Sequence, residues 1–137
     1  MSEDVMIESA FVAMSATVIS QFDRVEIVGH NIEFDLQFLK KRMIIHGIHI
    51  PHWWPKSNKP WENNVRDTMK IWDSRYGEMT GQDELCRILG IEGKGDFNGS
   101  MVAEAWAKGE YERVAEYCRD DVRKVRMIDE RFRKVGL

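Results

Sequence analysis

Two short spacings carry most of the chemistry this chain could do: Asn31-x-x-x-Asp35 and Tyr117-x-x-x-Asp121. Residues four apart lie on one face of a helix, so each polar residue would stand beside its carboxylate. Two separated carboxylates aimed at one place suit a hard divalent ion, and two-metal phosphoryl chemistry asks for more carboxylates than these. Other candidates are weaker. His46, His49 and His52, with His30 upstream, could form a transition-metal site, but Pro51 breaks any helix that would align them and no Cys lies nearby. Trp53, Trp54 and Trp61 could stack nucleic-acid bases, or could simply anchor a long loop. Gly93-Lys94-Gly95 lacks the following Lys-Ser/Thr of a phosphate-cradling loop.

The elements that must position these residues follow from periodicity and punctuation. Apolar residues at Val5, Ile7, Phe11, Val12, Met14, Val18, Ile19 and Phe22 predict an amphipathic helix from Glu3 to about Phe22. Val25 to Gly29 reads as a β-branched strand feeding a helix through His30 and Asn31. Ile32, Leu36, Leu39 and Met43 give that helix its apolar face, and Gly47 ends it. Asn31 is a candidate N-cap, with Asp35 in or near the first turn, where the helix dipole favours negative charge. All three prolines fall between Ile48 and Asn64, which marks a long loop. Val65 to Ile71 reads as a second strand, Asp83 to Leu89 as a short helix stopped at Gly90, and Gly93, Gly95 and Gly99 as a flexible turn. Ser100 can cap a helix through Ala107. A last helix from Glu110 to about Arg133 would turn Val114, Cys118, Val125, Ile128 and Phe132 inward. Strands joined by helices predict parallel pairing in an α/β fold, with no repeat or linker dividing residues 1–137 into two domains.

With 137 residues, 43% of them apolar and 31% charged, the chain can bury one genuine core. The acidic start MSEDVMIE and the lack of a 20-residue apolar run predict a cytoplasmic protein without membrane attachment. Cys86 and Cys118 read as reduced, partly buried thiols. A net charge of −3 argues against coating nucleic acid by bulk electrostatics. Local phosphate contacts remain open to Lys40, Lys41 and Arg42, or to Arg123, Lys124 and Arg126, although such runs more often form solvated helix faces.

Ile27 to Leu39 (IVGHNIEFDLQFL) and Ala115 to Ile128 (AEYCRDDVRKVRMI) resemble the second and third motifs of the DEDD 3′ to 5′ exonucleases, an RNase H-like superfamily. The branch is the one with Tyr in its third motif, similar to the proofreading domain of family B DNA polymerases. Arg66 to Met69, Leu89 to Ile91 and Asn98 to Ser100 extend the likeness between the motifs. The resemblance implies that Asp121 binds a catalytic Mg or Mn ion directly and that Asp35 holds a second ion largely through water. Tyr117 would position the attacking water, and Asn31 and Phe34 would contact the substrate near the scissile bond. The implied partner is the 3′ end of single-stranded nucleic acid, with nucleoside monophosphates as products. Each residue also has a plainer account. Asp121 or its neighbour Asp120 could be an exposed helix carboxylate, Asp35 could complement a helix N-terminus, Tyr117 could be a core aromatic, and Asp67 a strand-end carboxylate.

The family's first motif, Asp-x-Glu on an opening strand, occurs nowhere: none of the ten Asp residues has Glu two positions later. By its place in the order the first helix corresponds to the one after the family's first three strands, so the resemblance implies a helix-rich domain around a small parallel sheet. A truncated or short form, a strand borrowed from a partner, and a degenerate non-cleaving relative that only binds nucleic acid or protein are the open accounts. An open sheet edge near Val25 to Gly29 would favour self-association or strand swapping.

Overall fold

The computed structural model describes residues 2–20, 25–55, 64–75, 77–93 and 96–137, and it is helix-rich with a small two-stranded parallel sheet, compatible with the α/β class. In chain order the elements are α1 (Glu3–Ser20), β1 (Ile27–Gly29), α2 (Ile32–His46), β2 (Val65–Asp67), α3 (Thr68–Trp72), α4 (Gln82–Leu89), a 3-10 turn (Gly99–Met101), α5 (Val102–Ala107) and α6 (Tyr111–Lys134). None of the described helices is long and apolar enough to cross a membrane. The chain resolves into two compact units, Met1–Ile27 with Asn31–Asp67, and Val28–His30 with Thr68–Leu137.

In the first unit α1 packs on α2. Its core joins Ile7 and Phe11 of α1, Met43 of α2, and Trp53 and Trp54 of the following loop, with Leu36, Leu39, Ile48 and Ile50 alongside. The Phe11 ring lies 5.9 Å from Trp53 and 5.8 Å edge-on from Trp54, spacings at which aromatic pairs attract beyond their simple burial. Trp53 and Trp54 are therefore not available to stack bases; they anchor the loop, while Trp61 lies outside the described residues. The expected amphipathic face of α1 is only partly realised. Ile7 and Phe11 are buried, whereas Val5, Val12 and Met14 are exposed, because a helix with apolar residues on several sides cannot bury them all against one neighbour. The α1 and α2 ends are also tied by Arg42, which donates through Nε to Glu3 Oε1 at 2.6 Å, so this member of the basic run is spent on an ion pair.

The start and stop of α2 are set by two left-handed residues. Gly47 closes the helix at φ 66°, as the sequence predicts. Asn31 occupies the cap position at φ 55°, ψ 40°, and its side chain makes no capping bond. Asparagine tolerates this region better than other non-glycine residues. The bond at this corner runs instead from the Asn31 backbone N–H to Asp67 Oδ1 at 2.9 Å, which gives the buried Asp67 carboxylate a structural task at the end of β2.

In the second unit the His30 ring links the first residue of α3 to the loop before α4. Nε2 lies 2.7 Å from the Thr80 carbonyl and so carries a hydrogen, and Nδ1 lies 2.9 Å from the Thr68 hydroxyl, which donates to the Gly29 carbonyl at 3.2 Å. A histidine engaged on both nitrogens is not offered to a metal. The predicted strand to Ile71 stops at Asp67, and Thr68–Trp72 is helical. A short apolar run is ambiguous between strand and helix, and here Thr68 and Met69 are buried on the first turn of a helix. Asn98, rather than Ser100, caps the 3-10 turn that precedes α5, accepting from Ser100 N–H at 3.0 Å.

The long helix α6 contacts α3, α4 and α5. Its residues Ile128 and Phe132 meet Leu85, Cys86 and Ile91 in a second core, and Trp72 stacks on Phe132 at 6.4 Å. Val114, Ile128 and Phe132 face inward as the spacing predicts, but Cys118 is exposed. Cys118 lies four residues after Val114, about 40° round the helix from it, on the edge of the buried face. Cys86 is buried, and burial raises its thiol pKa.

The first core rests on Met43, which is fully buried, whereas Phe34 on the same helix is 71% exposed. Met43→Ala is expected to lower unfolding free energy by about 2–5 kcal/mol in denaturant titrations, while Phe34→Ala should stay within about 0.5 kcal/mol of the parent.

Candidate active site

Tyr117 and Asp121 stand one helical turn apart on α6 and are joined by a hydrogen bond from the phenol to the carboxylate. The Tyr117 ring is held edge-on by Phe97 at 5.3 Å, and the Arg113 guanidinium lies 4.7 Å from the centre of the Phe97 ring. A side chain at Gly99 would place its Cβ 3.4 Å from the Tyr117 hydroxyl, so the Asn98–Ser100 turn approaches the phenol closely. Tyr117 is thus a supported, half-buried aromatic whose polar tip points at Asp121. Burial, followed by the nearby Asp121 charge, raises its pKa, so it remains a phenol with a hydrogen to donate.

Asp121 is 37% exposed, and burial is the main reason its pKa lies above the usual carboxylate value. The neighbouring Lys124 and the Tyr117 hydrogen bond pull in the opposite direction without cancelling it. Gln82, at the start of α4, donates to the Asp121 backbone carbonyl at 3.1 Å and reaches its Oδ1 at 3.5 Å. Lys124 Nζ lies 3.7 Å from Asp121 Oδ1, 3.5 Å from Asp83 Oδ1 and 3.4 Å from Asp120 Oδ2. Asp120 is further held by Arg123, whose Nε donates to Oδ1 at 2.9 Å. Asp120 is therefore the structural carboxylate of the Asp120-Asp121 pair, and Asp121 the half-open one.

Asn31, Phe34 and Asp35 belong to the first unit, on the corner and first turn of α2. Asp35 and Phe34 are both exposed there, and Asn31 is committed through its backbone to Asp67. Lys124 and Gln82 were not singled out as members of the Asp121 cluster by sequence reasoning. Lys124 had a legible signal, since it lies three residues after Asp121 and seven after Tyr117, on the same helix face. Gln82 had none, because 39 residues separate it from Asp121.

Carboxylate and phenol oxygens suit Mg or Mn in kind. In number and charge the donors do not fit. Among the described residues no three His, Cys, Asp or Glu side chains gather as a metal-holding group, and the positive charge beside Asp121 comes from Lys124. The His46, His49 and His52 series forms no such group either, and His46 Nε2 lies instead 3.1 Å from Arg42 Nη2.

Because the folded state raises the Asp121 pKa, it binds that proton more tightly than the unfolded chain does. The stability this group contributes is present below the unfolded value and is lost as pH rises through the folded one. Asp121→Asn is therefore expected to melt at or above the parent temperature at pH 7. The gap should close as pH falls into and below the ordinary carboxylate range, as followed by circular dichroism melts.

Residues 1–135 match the family described as predicted 3′-5′ exonucleases related to the exonuclease domain of PolB. A curated relative, the uncharacterized protein MJ0365 of Methanocaldococcus jannaschii, is 31% identical over 107 residues, which cover 72% of this chain and 59% of the relative. The chain thus spans about three-fifths of that relative's length. No solved structure matches. With the match running over nearly the whole sequence, the chain belongs to the family of predicted 3′-5′ exonucleases related to the exonuclease domain of PolB.

Proposed function

We propose that the chain serves as an RNase H-like 3′ to 5′ exonuclease domain of the Tyr-containing DEDD branch, acting on terminal phosphodiesters at the 3′ end of single-stranded nucleic acid. The observation that carries this reading is the Tyr117–Asp121 pair, a phenol and a carboxylate on one face of α6 at the spacing of the family's third motif. Tyr117 keeps its proton, offers the O–H to Asp121 as a hydrogen-bond donor, and has lone pairs left to accept a hydrogen bond from a water held near the reacting phosphate. Asp121 fixes the phenol and supplies negative charge at the same point. Asp35, Asn31 and Phe34 are the second-motif candidates, with Asp35 as the further carboxylate and Asn31 and Phe34 as contacts to the terminal nucleotides. Hydrolysis by this family-type chemistry uses Mg or Mn, and this sequence has no Asp-x-Glu to complete the set of carboxylates. In this reading those carboxylates come from another segment or from a second chain pairing with the sheet edge. The working place is the cytoplasm.

A second reading is favoured by one observation, the ion pair between Lys124 and Asp121. It makes the chain a binding module of the same fold, holding a nucleic-acid end or a protein without cutting.

A single-stranded oligonucleotide with a free 3′ hydroxyl, incubated with Mg or Mn, separates the two. The nuclease reading predicts stepwise loss of nucleotides from the 3′ end, lowered about 100-fold or more in Asp121→Ala. Shortening that survives in Asp121→Ala would contradict it, and binding without shortening by a folded parent would support the module.

A further inference from the structure

The cluster around Lys124 is built more closely than ion pairs on a solvated helix face. The Lys124 side chain is 12% exposed and Asp120 only 8%, so the ammonium is largely withdrawn from water. Its head faces Asp83 of α4 as well as Asp120 and Asp121 of α6, at 3.4 to 3.7 Å. The chain also leaves room for it. A Cβ on Gly93 would come within 2.9 Å of Lys124 Cε and 3.0 Å of Nζ, closer than side-chain carbons tolerate, so glycine at 93 lets the lysine lie along that loop. A long, flexible, strongly hydrated side chain is ordinarily extended into solvent, and withdrawing it needs compensation by nearby negative charge. Asp120 and the half-open Asp121 supply most of that compensation, and Asp83, whose side chain is 86% exposed, adds a solvent-screened share.

From this arrangement we propose that Lys124 is the resident cation of the Asp121 site, a tethered ammonium that takes the position beside Asp121 Oδ1 and keeps divalent ions from binding there. With Lys124 and Arg123 in place, the three carboxylates carry one uncompensated negative charge between them. Without Lys124 they would carry two. A divalent ion at Asp121 has to approach an ammonium held within 3.7 Å of the same oxygen, and like charges at such separations repel strongly in a partly buried place. A lysine held in this way also orders the site: it ties α4 to α6 through Asp83 and fixes the Asp120-Asp121 pair with one carboxylate turned in and the other half-open. The proposal takes from the nuclease reading only that Asp121 is the carboxylate facing the reacting site.

The test is Mn binding, read from the loss of the free-ion electron paramagnetic resonance signal, with the parent chain, Lys124→Gln and Gly93→Ala. Lys124→Gln removes the charge and keeps most of the length, while Gly93→Ala keeps the charge and displaces its head. Both are expected to bind Mn at least about tenfold more tightly than the parent, with Lys124→Gln the tighter. Mn should then broaden the Gln82 side-chain amide resonances in the variants, because that amide lies 3.5 Å from Asp121 Oδ1. Affinity within about twofold of the parent in folded Lys124→Gln, or a gain that leaves Gln82 unaffected, would overturn the proposal. If Lys124→Gln does not fold by circular dichroism, Gly93→Ala decides alone on the same criteria. No nucleic acid is present, so failure to cleave an oligonucleotide leaves this result standing, and an unchanged Mn affinity says nothing against cleavage.

Discussion

The 24-residue helix α6 has to carry apolar packing and polar chemistry along one face, at 3.6 residues per turn. Val114, Ile128 and Phe132 are buried on it, the last two meeting Leu85, Cys86 and Ile91 in the second unit's core. Tyr117, Asp121 and Lys124 form a polar stripe on the same face, spaced by four and then three residues, with Ile128 four residues further on. Because the helix is rigid, docking its apolar residues sets the direction in which the polar ones point. The phenol, carboxylate and ammonium therefore come to one place from a single helix. Asp120 lies off this stripe, buried and held by Arg123 and Lys124.

The surroundings of Asp121 follow from that direction. Burial raises the carboxylate's proton affinity while Lys124 and the Tyr117 hydrogen bond offset part of the cost. A site in this balance is polar, half-open and preorganised, and its charge is already answered by a side chain of the same helix. The chain belongs to a family of predicted 3′-5′ exonucleases, and the nuclease chemistry proposed for it asks for more carboxylates than Asp121 and Asp35 provide.

Much of the fold was legible because its punctuation is chemical. Gly47 and Gly90 both adopt the left-handed conformation that ends α2 and α4, and the helix ends fall within a residue of the glycine signals. The proximity of Tyr117 and Asp121 was legible for the same reason, a local spacing within one helix. Long-range choices were not. Val65 to Ile71 reads as one strand from composition, whereas the chain turns helical from Thr68. Asn31 was expected to cap with its side chain, whereas the left-handed backbone presents its N–H to Asp67, a partner 36 residues away. Trp53 and Trp54 look like stacking platforms until Phe11 is brought against them by the packing of α1 on α2. Lys124 was visible as a basic residue in a run of them, but its withdrawal from water depends on Asp83 and on the space left at Gly93, neither of which is near it in sequence.

The central claim is that the polar stripe of α6 is where the end of a nucleic-acid chain is received. Amide and side-chain chemical-shift mapping with a short oligonucleotide bearing a free 3′ hydroxyl, in the absence of divalent ions, tests it most directly. The account predicts the largest shifts at Tyr117, Asp121, Lys124 and Gln82, and weaker ones when the same oligonucleotide ends in a 3′ phosphate. Shifts that spare this stripe, or that are identical for both ends, would contradict it.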